Sequence, residues 1–445
     1  MHTLDQLRAG ELAGIQRLDL SAGLTEFPTE IFDLADSLEI LNLSGNALSS
    51  LPDDLGRLHK LRVIFCSDNQ FTTVPEVLGQ CPNLSMVGFK ANQIRTLPAT
   101  SLPPLLRWLI LTANQLATLP EELGTCTHLQ KLMLAGNQLA ELPESMAACT
   151  NLELLRIAAN RFTALPAWLL ALPRLSWLAY AGNPFSEEME AAVLAQHPIS
   201  TIDWRYLTVQ QKLGEGASGV IYQAQWQPDA APARNVAVKL FKGAVTSDGL
   251  PHSEMSACIS AGAHPNLIAV EGKIEHHPTA AEGLVLDLID PSFRILAGPP
   301  SLTSCTRDVY ATGTVFSLDT ALRIAHGIAS AAQHLHARGI MHGDLYAHNI
   351  LTTNTGTCLL GDFGAACFFD PNESATAAAL QRLEVRAFAC LLEELLEHCE
   401  PIIAPTAFHA LSDLQRRCAQ PDVAARPLFT EISQLLANLL QVAAG

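Results

Sequence analysis

Two short segments in the second half of the chain concentrate side chains that suit chemistry on a phosphate group. The first, HGDLYAHNIL at 342–351, contains an aspartate and an asparagine, and the second, GDFG at 361–364, contains another aspartate. A lysine ends a third segment, VAVK at 236–239. Phosphoryl transfer needs hard oxygen ligands for metal, a cation on the phosphates and a carboxylate that orients the incoming hydroxyl. The residue types therefore point to transfer of a phosphoryl group.

A glycine-rich segment, LGEGASGVIYQA at 213–224, precedes this lysine. The residues after its third glycine, Val220 to Tyr222, are typical of a strand, whereas a dinucleotide-binding loop would continue into a helix. Because glycines lack side chains, the backbone N–H groups of such a hairpin approach triphosphate oxygens closely. The glycine spacing alone is a weak indication, and it gains weight from the segments that follow it.

In this order, the segments resemble the protein kinase superfamily over roughly residues 207 to 445. The resemblance implies that the chain binds ATP and Mg²⁺. By the same resemblance, Lys239 would hold the α- and β-phosphates and pair with Glu254. Asp344 would be the catalytic base, and Asn349 and Asp362 would be the Mg²⁺ ligands.

The resemblance also implies which residues line the nucleotide site. Leu286 would be the gatekeeper, residues 287–289 would be the hinge that meets adenine, and His342 and Phe363 would belong to the internal spine. The full set expected to contact the nucleotide is Leu213, Gly214, Gly216, Gly219, Val220, Ala237, Lys239, Leu286, Asp287, Leu288, Ile289 and Leu351.

The sequence departs from the family pattern around the expected catalytic base. Gly343 replaces the arginine that usually precedes the base, so an activation-loop phosphate would lack its usual acceptor. Tyr346 stands where serine/threonine kinases usually have a lysine. The segment from Asp362 to Glu384, which we expect to start the next core helix, is abbreviated, and no Ala-Pro-Glu occurs in it. Arg426 resembles the family's arginine that would pair with that missing glutamate.

The first half of the chain is an internal repeat. Segments such as LEILNLSGNAL at 38–48 recur about every 23 residues, which is the pattern of leucine-rich repeats. Each short strand buries its leucines only when neighbouring units stack, and the asparagine satisfies backbone groups where the chain leaves the strand. We expect an N-terminal cap around Ile15 to Leu20 and a helical C-terminal cap at 184–203. The recurring asparagines are Asn46, Asn69, Asn92, Asn114, Asn137, Asn160 and Asn183.

The residues between the core leucines should face the concave side of the repeats, and they are unusually apolar. Such a patch exceeds the few hundred Å² that a monomer usually exposes. We therefore expect a protein substrate or regulator, or the kinase domain in cis, to cover this face; scattered surface hydrophobes are the alternative. The residues concerned are Phe65, Met86, Trp108, Ile110, Met133, Leu154 and Trp177.

Composition narrows the remaining choices. The 44 acidic and 27 basic residues leave a net charge of -17, which would repel nucleic acids and anionic membranes. The start, MHTLDQLRAG, does not resemble a secretory signal, no apolar run is long enough to span a bilayer, and the eleven cysteines form no CxxC pair. We therefore expect a cytoplasmic protein with reduced thiols. The Ala- and Leu-rich style suggests a bacterial source, without a transmembrane or GTPase domain between the two halves.

The predicted fold class is an α/β leucine-rich-repeat solenoid at 1–203 followed by a bilobal α+β protein-kinase-like domain at 204–445. The N-lobe would cover about 207–289 and the C-lobe about 290–445. The predicted function is a protein kinase that phosphorylates serine or threonine hydroxyls. Two alternatives remain: a pseudokinase scaffold that acts through its repeats, and a kinase of small molecules.

Overall fold

The chain forms two compact units, Met1–Arg174 and Leu175–Gly445. The structure is a computed structural model that describes residues 2–196, 199–216, 218–229, 231–242, 245–246, 248–400 and 405–444. The expected boundary between the repeat domain and the kinase-like domain, at 203/204, was drawn where the repeat pattern ends, and it stays a prediction. The compact units divide earlier in the chain, since the second begins at 175 rather than 204, so that the last repeat strand belongs to the second unit.

Seven short parallel strands of the first unit pair in chain order. The first, at 17–19, lies in the expected N-terminal cap, and each of the other six belongs to one repeat. Short 3-10 turns such as Glu121–Thr125 return the chain to the next strand. The bounds are α1 (Leu4–Arg8), β1 (Arg17–Asp19), β2 (Ile40–Asn42), β3 (Val63–Phe65), β4 (Met86–Gly88), β5 (Trp108–Ile110), β6 (Lys131–Met133) and β7 (Leu154–Arg156).

The strands stack because their central residues are apolar and stand in register. Leu41 pairs with Ile64, and both are fully buried. The predicted role of the recurring asparagines is confirmed. Asn137 donates through Nδ2 to the carbonyl oxygens of Leu111 and Leu134, each at 2.9 Å, and its Oδ1 accepts from Leu116 N at 3.0 Å. Each such asparagine therefore ties neighbouring repeats together.

The second unit begins with the last repeat strand and continues into two lobes. Its strands are β8 (Trp177–Ala179), β9 (Thr201–Asp203), β10 (Leu207–Glu215), β11 (Gly219–Trp226), β12 (Arg234–Phe241), β13 (Val270–Glu275), β14 (Gly283–Asp287), β15 (Arg294–Ile295), β16 (Ile340–Met341), β17 (Ile350–Thr352), β18 (Cys358–Leu360) and β19 (Cys367–Phe368). Its helices are α2 (Pro184–Gln196), α3 (Pro251–Ala261), α4 (Leu318–Ala337), α5 (Ser374–Glu397), α6 (Pro405–Cys418) and α7 (Phe429–Ala444).

The N-lobe is a six-stranded sheet in the order β10-β11-β12-β14-β13-β9, with helix α3 beside it. The expected helical cap at 184–203 is helical only in part. Helix α2 ends at Gln196, and residues 201–203 form strand β9, which pairs in parallel with β13. The β-branched pair Thr201 and Ile202 suits a strand. Ile202 is 3% exposed in the N-lobe core, beside Val238 and Ile274.

The C-lobe is helical and carries two small sheets, β15-β17-β18 and β16-β19. Helix α4 packs against α7, and the chain then passes from β19 into α5. The expectation that Glu384 begins a helix was wrong, because α5 begins at Ser374 and Glu384 lies in its middle. Only 363–373 therefore separate Asp362 from α5. Within the described part of the chain, no helix combines the length and the apolar character that crossing a membrane requires.

Candidate active site

Strand β12 and helix α3 bring the expected phosphate-binding lysine to its expected partner. Lys239 lies between Ile221 of β11 and Leu284 of β14, and its Nζ forms an ion pair with Glu254 Oε1. The side chains are only 14% and 1% exposed. Burial lowers the pKa of Lys239, but the negative charges of Glu254 and Asp362 raise the pKa by more than burial lowers it. The net shift is upward, so the amine is charged.

The glycine-rich hairpin connects β10 and β11 at the edge of the same sheet. Gly214 pairs with Ile221, and Gly216 N donates to Gly219 O at 2.9 Å. A Cβ atom on Gly219 would lie 2.5 Å from the carbonyl oxygen of Leu240, so this glycine is required by a close approach of backbones. Residue 217 at the tip lies outside the described residues.

Apart from Leu351, the other residues expected around the nucleotide lie on the same sheet or directly after it. Ala237 on β12 stands opposite Leu286 on β14, and Asp287 ends that strand, so that the hinge residues 288 and 289 follow at once. Leu213, which is exposed, precedes Gly214 on β10, and Leu351 lies on β17 of the C-lobe. Val220 pairs with Leu240 on the inner hairpin strand.

The loop between β16 and β17 holds the expected catalytic base and one expected metal ligand together. Asn349 Nδ2 donates to Asp344 Oδ2 at 2.8 Å and to the Asp344 carbonyl oxygen at 2.9 Å. The short 3-10 turn at Ala347–Asn349 makes this contact possible, since it folds the asparagine back over the loop. Asn349 is 9% exposed. With its amide nitrogen directed to Asp344, its amide oxygen is the atom that would coordinate a metal ion.

The second expected metal ligand, Asp362, has a left-handed backbone with φ 54°, which is uncommon outside glycine and is concentrated at functional sites. Its Oδ1 accepts from Gly364 N at 3.1 Å. A Cβ atom on Gly364 would lie 3.1 Å from that oxygen and 4.0 Å from Glu254 Oε2. The Asp362 carboxylate and the Lys239–Glu254 pair are therefore neighbours.

The expected spine pair is also in contact. The rings of His342 and Phe363 lie 5.1 Å apart between centroids, and His342 Nε2 is 2.9 Å from the carbonyl oxygen of Gly361. His342 is fully buried and Phe363 is 5% exposed. This contact fixes the segment before Asp362 against the catalytic loop.

Glu384 on helix α5 holds the loop between β16 and β17 through hydrogen bonds that its position in the sequence did not reveal. Its Oε1 accepts from Gly343 N at 2.8 Å and its Oε2 lies 2.6 Å from His336 Nε2. Burial would raise the pKa of Glu384, but the hydrogen bond and charge of His336 outweigh burial and lower it. The carboxylate is therefore retained as an anion beneath the loop.

Arg426, which resembles an arginine that pairs with a glutamate, has backbone partners here. Its Nε donates to Gln420 O at 2.8 Å and its Nη1 to Arg382 O at 3.0 Å. Burial, together with the charge of Arg386, lowers the pKa of Arg426 to about 10. Carbonyl oxygens thus take up donors that a carboxylate takes up in the family pattern.

The last repeat strand contacts the loop between β16 and β17 through Trp177, one of the apolar residues expected to be covered by a protein or by the kinase domain in cis; its individual partners were not foreseen. Trp177 Nε1 donates to the Leu345 carbonyl oxygen at 3.0 Å, and its ring stacks on Tyr346 with centroids 4.1 Å apart and planes at 6°. Tyr180 Oη donates to Phe368 O at 3.0 Å. The sequence signals near this contact were the apolar character of Trp177 and the replacement of the usual arginine by Gly343.

The donor set fits a nucleotide with a hard cation. A carboxylate and an amide oxygen are ligands that Mg²⁺ accepts, and a paired lysine beside a glycine-rich hairpin suits phosphates. The structure brings together Lys239, Glu254 and Asp362 through side chains, and Asp344 and Asn349 through two hydrogen bonds. Burial lowers the pKa of the neighbouring His348, but its hydrogen bond to Asp308 and the charges of Asp308, Asp344 and Asp362 raise it, so the net shift is upward.

Comparison with known proteins agrees with this geometry. Residues 207–392 match the family described as protein tyrosine and serine/threonine kinase, and residues 37–58 match the family described as leucine rich repeat. The predicted fold class is thereby confirmed: an N-terminal leucine-rich-repeat region with a parallel sheet precedes a kinase domain of mixed sheet and helices.

Three relatives are similar to the kinase part of the chain. A protein of Acanthamoeba polyphaga mimivirus, provisionally named a serine/threonine-protein kinase, is 28% identical over 182 residues, which is 41% of this chain and 29% of the relative. Proteins of Arabidopsis thaliana and Dictyostelium discoideum with similar provisional names are 28% identical over 109 residues and 29% identical over 170 residues. These are 24% and 37% of this chain, which spans only 17% and 9% of those two relatives.

Proposed function

We propose that this chain is an active protein kinase that transfers the γ-phosphoryl group of Mg·ATP to serine or threonine hydroxyls of proteins. The observation that carries the proposal is the joint arrangement of five polar residues. The Lys239–Glu254 ion pair is formed beside Asp362, and Asp344 is hydrogen-bonded to Asn349. Protein kinases require this lysine–glutamate pair and the metal-binding aspartate to be in place together for transfer.

Each residue would act through position and charge. Lys239 would neutralise phosphate oxygens, and Asp344 would accept the hydrogen bond of the incoming hydroxyl and orient it for in-line attack. Asn349 and Asp362 would hold Mg²⁺, which neutralises the charge that develops on the phosphate oxygens. The hydrogen bonds from Asn349 keep the Asp344 carboxylate directed into the site.

The test is transfer of label from γ-labelled Mg·ATP by the purified full chain to a protein mixture, followed by identification of the labelled amino acid. We expect phosphoserine or phosphothreonine. Asp344→Asn should lower the rate by at least about a hundredfold, because the base is lost without a change of volume. The matched control is Asp319→Asn, since Asp319 is an exposed aspartate on helix α4.

Other outcomes identify the alternatives. Nucleotide binding without transfer would support a scaffold that has kept only the binding half of the site. Label that appears only in small molecules would support a small-molecule kinase, an activity that suits the short segment 363–373 between Asp362 and α5. Absence of both nucleotide binding and transfer would overturn the proposal.

The apolar face of the repeats is part of the proposal as a surface for a protein substrate or regulator. Trp108 in the first unit lies beside Met133, to whose sulfur its Nε1 donates at 3.4 Å, and Lys131 lies 4.7 Å from the ring centroid. Phe65 and Ile110 are half-buried and lie on the two strands that flank β4, where each stands opposite Gly88. We also retain a cytoplasmic location as part of this proposal.

A further inference from the structure

The residue before Asp344 has no room for a side chain, because the segment after Asp362 and the last repeat strand both approach it closely. Gly343 has φ +73°, and a Cβ atom there would lie 2.4 Å from the Ala365 carbonyl oxygen and 2.8 Å from the Leu178 carbonyl oxygen. Such distances are far below ordinary contact. The backbone at Ala365 and that of β8 at Leu178 therefore both occupy the space that a side chain before the base would need.

The residues after Asp344 are held by the same strand. Trp177 is 1% exposed, its indole N–H donates to the Leu345 carbonyl oxygen at 3.0 Å, and its ring lies parallel to that of Tyr346. The Arg307 guanidinium lies 5.7 Å from the Trp177 ring centroid. A tryptophan is the residue type that combines a large stacking surface with a hydrogen-bond donor at its edge.

Asp344 is thus enclosed between two backbone positions that contact β8. A catalytic carboxylate must be held within about 0.5 Å of its productive position by supporting contacts, and a misplacement of about 1 Å costs roughly a hundredfold in rate. On the other side of the loop, Glu384 and Asn349 hold Gly343 and Asp344. Trp177 completes this enclosure at the Leu345 carbonyl group and the Tyr346 ring.

Two further contacts show that β8 and the residue that follows it act on the catalytic elements as a group. Cys367 Sγ lies 3.0 Å from Tyr180 N, and Phe368 O accepts from Tyr180 Oη, so the segment after Asp362 is held by the same stretch of chain. This segment, 363–373, is short and leads directly into α5. Contacts from residues 177–180 therefore lie on both loops that carry the acidic residues of the site.

We propose that Trp177 is a positioning residue for phosphoryl transfer: it fixes Leu345 and Tyr346, and through them the Asp344 carboxylate, in the geometry needed to orient the acceptor hydroxyl. The inference rests on the proposed function and deepens it. The contacts that carry it fall on the loop of the base rather than on Lys239 or the glycine-rich hairpin. Replacing Trp177 should therefore lower kcat and leave the affinity for nucleotide unchanged.

The test compares Trp177→Phe and Trp177→Leu in the full chain, with steady-state kinetics on a fixed protein substrate. Phe keeps an aromatic ring but lacks the N–H donor, and Leu lacks both. We expect kcat to fall about threefold for W177F and about thirtyfold for W177L, with KM for ATP within about twofold of the wild type. Trp168→Phe, on a 3-10 turn of the first unit, is the matched control and should leave kcat unchanged.

The outcomes separate this inference from the proposed function. A wild-type chain without transfer would refute the proposed function itself. An active wild type whose W177F and W177L variants keep their kcat would overturn only the positioning role, as would a loss of nucleotide affinity in parallel with kcat. If W177L does not fold, W177F decides alone: a lower kcat at unchanged KM supports the role, and an unchanged kcat overturns it.

Discussion

At the scale of single residues, Glu394 is a buried acid outside the site whose proton affects stability. Helix α5 places it under the segment before helix α4, where its Oε1 accepts from Asp308 N at 3.3 Å and its Oε2 from Tyr310 Oη at 3.3 Å. Burial and the negative charge of Asp308 raise the pKa of Glu394 to about 7, against the opposing effects of these hydrogen bonds and of Arg307.

The raised pKa gives a pH dependence with a defined sign. The protonated acid stabilises the folded state below its usual pKa of 4.5, and this contribution is lost as pH rises through about 7. Between pH 5 and pH 8, this group should reduce the free energy of unfolding by on the order of 2 kcal/mol. Glu394→Gln should therefore remove much of the decline, as measured by urea unfolding at both pH values.

The control for this measurement is Glu393→Gln, because Glu393 precedes Glu394 on the same helix and is exposed. It should keep the wild-type difference between the two pH values. An E394Q variant that loses stability between pH 5 and pH 8 as steeply as the wild type would contradict the assignment of that dependence to Glu394.

The sequence predicted which residues belong to the candidate site, because the chemistry requires particular residue types at particular spacings. It did not predict the contacts that hold those residues in place. Lys239, Asp344 and Asp362 stand in local segments whose spacing indicates their use. The hydrogen bond from Trp177 to Leu345 joins residues 168 positions apart, and no local pattern specifies such a contact. The partners of Arg426 are backbone carbonyls, which no side-chain motif records.

At the scale of elements, the recurring asparagines satisfy buried backbone groups where the short repeat strands end. Asn137→Ala would leave the buried Leu116 N without its acceptor. The carbonyl oxygens of Leu111 and Leu134 would each lose one donor and keep a second one, from Asn114 and Asn160. Each unsatisfied buried group costs about 1–3 kcal/mol. We expect a loss of about 3 kcal/mol or more in unfolding experiments on the repeat unit's transition.

Asn83→Ala is the matched comparison within the same unit. Asn83 Nδ2 makes one exposed hydrogen bond, to His59 O at 2.8 Å, so water can replace it. The expected loss is below about 1 kcal/mol. Equal effects of the two substitutions would show that the repeats do not rely on the buried asparagines.

Helix α2, expected as a cap of the repeats, contacts the helix that carries Glu254. Glu190 Oε2 accepts from Ser253 Oγ at 3.1 Å, and its Oε1 lies 3.1 Å from His252 Nε2. The sequence indicated the helix itself through its break in the repeat pattern. It could not indicate the contact, because the partner residues belong to a different motif and their packing is set by tertiary structure.

At the scale of the whole molecule, the end of the repeat pattern and the start of the kinase unit overlap. Residues 175–203 contribute β8, α2 and β9 to the second unit, and Ile202 is part of the N-lobe core. We therefore expect a fragment of residues 175–445 to fold cooperatively, whereas 207–445 should have a melting temperature lower by several degrees because it lacks an edge strand and buried apolar area.

Thermal unfolding followed by circular dichroism on both fragments checks this expectation, with 1–174 as the companion for the first unit. A 207–445 fragment as stable as 175–445 would show that the overlapping residues are dispensable for folding. The two halves themselves were predictable because the repeat period and the kinase segments are independent signals. Their overlap was not, since so short a strand as β9 carries almost no sequence pattern.

The pairing of β9 with β13 has a consequence for the inheritance of this gene. Recombination that exchanged repeats between relatives would leave this sheet intact only when the crossover fell upstream of Thr201. A crossover at the end of the repeat pattern would discard the strand that completes the sheet. Residues 201–203 should therefore diverge at the pace of the kinase domain, while the repeats before Leu175 are freer to be replaced.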